Sequence, residues 1–155
     1  MKIFKSLKLR FRPPKKQDPD FGQLTFMYIP NRPDRSYWEA EWPFSPTGTL
    51  VSIGLEGDES GPRPVTRQWH LGLPSRFPRI LQLARPELVK VFKLWLDQEL
   101  PEDIFSAVRL SGFGVEDPQA HPPHWDISFE TTGEKWLGIT IPFVGDEAKE
   151  AIVDT

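Results

Sequence analysis

Residues 37 to 44, YWEAEWPF, alternate large apolar side chains with polar ones over the whole stretch, a period that a helix cannot sort onto separate faces. Extended, the segment puts Trp38, Ala40, Trp42 and Phe44 on one side and Tyr37, Glu39 and Glu41 on the other. The same alternation occurs upstream in QLTFMYIP, where Leu24, Phe26 and Tyr28 share a face, and downstream in TLVSIGLEG, where Val51, Ile53 and Leu55 do. Pro30 to Asp34 and Ser45 to Gly48 supply the turns, so the three runs predict an antiparallel meander.

Past the polar loop that begins at Gly57 the period changes. In RPELVKVFKLWLDQEL, apolar residues return at three- and four-residue spacing, which predicts a helix with Pro86 in its first turn and an end at Leu100-Pro101. A shorter helix is expected upstream, capped by Ser75, with Pro78 in its first turn and carrying Phe77, Ile80, Leu81 and Leu83. Gly72-Leu73-Pro74 would separate it from a turn around residues 66 to 71.

Alternation then resumes. Residues 105 to 115 form a fourth strand candidate whose glycines mark a bulge; Trp125, Ile127 and Phe129 define a fifth; Leu137, Ile139, Ile141 and Phe143 define a sixth. Thr131 to Glu134 joins the last two as a hairpin, and Pro142 belongs at an edge or bulge because it has no N–H to give a neighbouring strand. The expected fold class is α+β: two antiparallel three-strand groups separated by a central helical region, with the sheet packed on its helices.

The length of 155 residues suits one core, and six tryptophans and eleven phenylalanines can fill it. Seventeen prolines argue against a bundle of long helices, and the absence of cysteine removes disulfides, thiolate metal sites and cysteine nucleophiles. A cysteine-free chain suits a reducing cytoplasm, which is the expected location.

Charge divides the chain. Residues 1 to 16 hold seven of the nineteen basic residues and no acid, so residues 17 to 155 carry twelve bases against twenty-two acids, a formal charge of −10. The expected organisation is therefore a basic N-terminal arm, 1–16, ahead of a single α+β domain, 17–155. Ile3, Phe4, Leu7 and Phe11 recur at helix-like intervals among the arm's lysines, which suits peripheral contact with a membrane surface but is too short to span one. An acidic body repels nucleic acid and attracts basic proteins, so no nucleic-acid partner is expected.

The acids that follow tryptophan focus the functional question. YWEAEW and HWDISFE each put a tryptophan on the apolar face and a carboxylate on the wetter one. A solvated sheet face, a protein-docking surface and a pair of catalytic carboxylates all fit that pattern. The docking set is Tyr37, Glu39, Glu41, Asp126, Glu130 and Trp136, where carboxylates beside aromatic rings can receive arginine or lysine. The catalytic reading is a small carboxylate-dependent hydrolase using Glu39, Glu41, Asp126 and His124, which requires those groups to converge on one cleft. His121 and His124, separated by two prolines, do not complete a metal-binding set, and His70 reads as a structural or surface histidine rather than a base. Gly112-Phe113-Gly114 lacks the third glycine of a dinucleotide fingerprint.

The Lys- and Phe-rich start, DPDFGQLTF, SYWEAEWPF, VSIGLEGDESGP, the Leu-rich helical centre and HWDISFE together resemble small bacterial proteins that include immunity proteins of polymorphic-toxin systems. That resemblance implies an α+β protein acting through binding, with no catalytic centre and no cofactor; taken with the acidic body, the expected partner is another protein, a basic toxin being the specific candidate.

Overall fold

A computed structural model of the chain describes residues 12–155, which fall into two units, the residues up to Leu71 and those from Gly72 onward. The amphipathic part of the basic arm, with Ile3, Phe4, Leu7 and Phe11, lies outside the described residues. Its end does not: Lys15 and Lys16 begin strand β1 (Lys15–Asp18), so the boundary expected after Lys16 falls inside a strand.

In the first unit β1 turns sharply into β2 (Gly22–Met27). The Asp18 carboxylate accepts the backbone N–H groups of Asp20 at 2.8 Å and Phe21 at 3.0 Å, and Gly22 takes the left-handed φ of 78° that closes the turn. The turn drives the Phe21 ring into the core, edge-on to Trp42. Strands β3 (Tyr37–Phe44), β4 (Thr49–Asp58) and the short β5 (Gly61–Pro62) follow, all antiparallel, in the order β1-β2-β3-β4 with β5 on β4. Trp38, Ala40, Trp42 and Phe44 are buried, together with Val51, Ile53 and Leu55 opposite them, as the alternation requires. Tyr28 lies just beyond the end of β2 instead of extending its apolar face.

The segment expected to be a turn around residues 66 to 71 is instead helix α1 (Pro64–Leu71), opened by a proline that suits a first turn. Arg67 on α1 bonds the carboxylates of both Asp18 and Asp20, and its guanidinium lies 5.1 Å from the centre of the Phe21 ring. One side chain thus ties the helix to the β1–β2 turn.

The second unit opens with α2 (Leu73–Val91), one continuous helix where two had been expected. Pro78 and Pro86 lie inside it, and Ser75 does not cap it: the serine hydroxyl donates to the Gly72 carbonyl at 3.1 Å from within the first turn. The apolar stripe explains the continuity. Leu73, Phe77, Ile80, Ala84, Leu88 and Val91 are buried at three- and four-residue intervals across both prolines, while the prolines themselves face outward. A π-helical turn, Phe92–Leu96, follows and stops at Asp97, whose φ is 51°.

After a 3-10 turn at Ile104–Ser106, which replaces the expected start of the fourth strand, come β6 (Val108–Val115), β7 (His124–Thr131), β8 (Gly138–Val144), β9 (Glu147–Ala148) and β10 (Ile152–Asp154). Their order is β6-β7-β8-β10, with β9 also on β8, and every pairing is antiparallel. A bulge separates Leu110 from Gly112. Phe77 of α2 meets Phe113 of β6 edge-on, which seats the helix on the apolar face. Pro142 falls where the outer partner of β8 changes from β10 to β9, and its carbonyl receives the Lys149 N–H at 2.8 Å.

The α+β class therefore holds, but each strand group is larger than three: short strands extend both. Among the described residues no helix is long and apolar enough to cross a membrane.

Candidate functional site

On the polar face of the first unit, the residues paired with the β3 carboxylates are small. Glu39 lies opposite Thr25 of β2 and Gly54 of β4, and Glu41 lies opposite Ser52. With no long neighbour to cover them, both carboxylates stand exposed, and neither has a salt-bridge or hydrogen-bond partner among the described residues. Tyr37 leans over Gly54: a Cβ there would meet the tyrosine ring at 3.3 Å, so the glycine provides the shelf on which the half-buried ring rests. The next acid along β4 is already matched, since Glu56 accepts from Arg63 at 2.9 Å. Tyr37, Glu39 and Glu41 thus form an anionic strip bordered by a flat aromatic ring.

The acids of the second unit sit differently. Glu130 faces Arg109 across the β6–β7 pair and bonds it, so its charge is compensated within the unit. Half-exposed Trp136 lays its ring over Gly138, whose strand partners are Glu130 on one side and Asp154 on the other. Trp136 and Glu130 are therefore brought together. Asp126, four residues before Glu130 on β7, sits between Gly114 and Pro142, with its carboxylate oxygens 3.1 and 3.2 Å from where a Gly114 Cβ would be. Burial, helped by the negative charge of Glu116, raises the Asp126 pKa above the ordinary carboxylate value.

His70 is fully buried on α1, with Nδ1 2.9 Å from the Thr66 carbonyl and Nε2 without a hydrogen-bond partner among the described residues. Desolvation lowers its pKa to about 4, against which the bond to Thr66 works only weakly, so at neutral pH it is an uncharged structural residue. His124 is exposed at the start of β7. Among the described residues no three His, Asp or Glu side chains are grouped to hold a metal ion.

No protein-family model matches the chain, and no curated protein or solved structure matches it either. The local geometry alone carries the functional reading.

Sequence reasoning missed a concave feature of the second unit. At the C-terminal end of α2 a cleft of about 490 Å³ opens between the π-helical turn, the 3-10 turn and the β7–β8 loop, with Trp95, Gln98, Thr132, Glu134 and Lys135 around it. Its walls come from three separate stretches of chain, so no local pattern marks it; the one available signal was a tryptophan in the last turn of an amphipathic helix.

Proposed function

We propose that this chain is a non-catalytic cytoplasmic protein-binding module that receives a basic protein on the polar face of β3. The observation carrying this reading is the exposed pair Glu39 and Glu41, without a partner among the described residues, beside the supported ring of Tyr37. A guanidinium can stack on the ring and fork to a carboxylate, a geometry that an ammonium satisfies less well. Two uncompensated charges on one strand also speed encounter with a cationic surface. In its more specific form the partner is a toxin and the module its immunity protein, as the sequence resemblance implies.

The test is affinity isolation from the native cell with the full chain and with the Glu39→Gln/Glu41→Gln variant. A basic protein retained in equimolar amount by the native chain, and released by raised salt or by the double substitution, is the expected result. Retention indifferent to both substitutions, or no retained protein, would remove this reading; a gene for the retained protein adjacent to this one would favour the toxin form.

A carboxylate-dependent hydrolase is the second reading, favoured by the raised pKa of Asp126 beside Glu116. Hydrolysis of any chromogenic glycoside or ester by the native chain, abolished in Asp126→Asn, would displace the binding reading in its favour.

A further inference from the structure

We propose that the cleft at the C-terminal end of α2 is a binding site for a neutral saccharide of one or two rings. Its volume of about 490 Å³ lies inside the range of small-molecule sites, roughly 300–1,000 Å³. Phe92 provides an apolar floor, and the Trp95 ring, 43% exposed, stands in the wall as a flat apolar surface. The C–H face of a pyranose can lie against the part of such a ring that the Lys135 ammonium, 6.0 Å from its centre, leaves open.

The polar groups narrow the ligand class. Gln98 offers an amide that donates and accepts, Thr132 a hydroxyl that does both, and Glu134 acceptors alone; none of the three side chains has a partner among the described residues. Lys135 adds donors. Adjacent hydroxyls of a sugar each donate and accept, so they match this mixture. An anion would meet Glu134 and a cation would meet Lys135, whereas an uncharged polyol meets no like charge.

The walls are held before any ligand arrives. The Lys135 ammonium donates to the Trp95 carbonyl at 3.4 Å and stands 6.0 Å from the centre of its ring, linking the β7–β8 loop to the helix end. Within the loop the Thr131 hydroxyl donates to the Lys135 carbonyl and accepts from the Leu137 N–H, both at 2.7 Å, and the Thr132 N–H bonds the Ala107 carbonyl at 2.9 Å. A preformed cleft loses less entropy on binding. The π-helical turn supplies the remaining element, since it presents Trp95 and sets Gln98 past the left-handed Asp97.

Saturation-transfer NMR of the full chain with millimolar glucose, maltose, cellobiose and N,N′-diacetylchitobiose is the test, run beside co-sedimentation with cellulose and chitin. Transfer to at least one soluble sugar, weakened about tenfold or more in Trp95→Ala and less in Gln98→Ala, is expected. Sedimentation that likewise depends on Trp95, without transfer to any soluble sugar, would assign the same chemistry to a polymer chain. No transfer and no sedimentation, or either one undiminished in Trp95→Ala, overturns the proposal. Thermal melts of both variants check the fold, which surface substitutions should leave intact. None of the residues involved belongs to the β3 strip, so the two proposals fail independently.

Discussion

The indole of Trp125 repeats the bond made by the indole of Trp38: each donates its N–H at 2.8 Å to a backbone carbonyl twenty residues downstream, Gly145 for Trp125 and Asp58 for Trp38. In both units the acceptor follows a hairpin, at the turn where a two-residue strand folds back on the hairpin's second arm. The paired W-acid stretches are thus two copies of one structural device, with the tryptophan locking the return strand and the acid left on the opposite face. Replacing either tryptophan by phenylalanine should cost about 1–3 kcal/mol, from the lost indole bond and the space the smaller ring leaves in the core, and by alanine about 3–5 kcal/mol. Glu39→Gln/Glu41→Gln should change stability by less than about 0.5 kcal/mol per site. Urea denaturation of the four tryptophan variants and the glutamine variant measures all of these; a glutamine variant less stable than Trp38→Ala would mean the β3 faces are inverted.

His70 makes stability depend on pH. Its pKa is about 4 in the fold and near 6.5 in the unfolded chain, so between these values the unfolded state binds a proton that the folded state refuses. The contribution is complete above pH 6.5 and declines as pH falls toward 4, by about 3 kcal/mol in total. Asp126 has the opposite slope, because its raised pKa makes the fold lose stability as pH rises through its titration. Chemical denaturation from pH 7 to 4 in an Asp126→Asn background isolates the histidine. There His70→Leu should flatten the profile; a native profile already flat would show that the histidine is not desolvated.

Thr66, one turn before His70, has a buried hydroxyl with no hydrogen-bond partner among the described residues. Thr66→Val keeps the shape and the carbonyl that His70 uses while removing the unsatisfied oxygen, and should raise stability by about 1 kcal/mol. A melting temperature lower than that of the native chain would mean the hydroxyl has a partner, such as a buried water.

Arg67 holds two carboxylates with two nitrogens, so an ammonium cannot replace it. Burial disfavours the charge on Asp18, but Arg67 and the N–H groups of Asp20 and Phe21 together outweigh it and hold the pKa below the ordinary value. Arg67→Ala should cost about 2 kcal/mol, and Arg67→Lys should recover less than half of that. Equal stability of the lysine variant and the native chain would reduce the fork to a single surface ion pair.

The long strands were legible because burial on one side writes a period-two pattern; β3 runs from Tyr37 to Phe44 as the alternation requires. The short strands were not. Lys15–Asp18, Gly61–Pro62 and Glu147–Ala148 hold their places through backbone bonds to a neighbour and have no apolar face to alternate. Helix α2 was divided at its prolines because local propensity penalises them, whereas the stripe from Leu73 to Val91 is continuous in burial. The acids looked equivalent in sequence, yet Glu130 lies opposite an arginine and Glu39 opposite a glycine, a difference that strand register alone determines. The indole locks were invisible for a similar reason, since a side chain bonding a backbone carbonyl demands no particular residue there.

The prolines of α2 also bear on the order of events as the chain leaves the ribosome. Each interior proline disfavours a helix by roughly 3 kcal/mol relative to alanine, and a segment of this length is marginal in water even without them. Residues 73 to 91 emerge before every strand of their own unit, so the partners that bury the Leu73-to-Val91 stripe within that unit, Phe113 of β6 among them, come only later. Burial of the stripe within its own unit therefore waits for β6 and the strands after it, a step separate from the emergence of the helical segment itself.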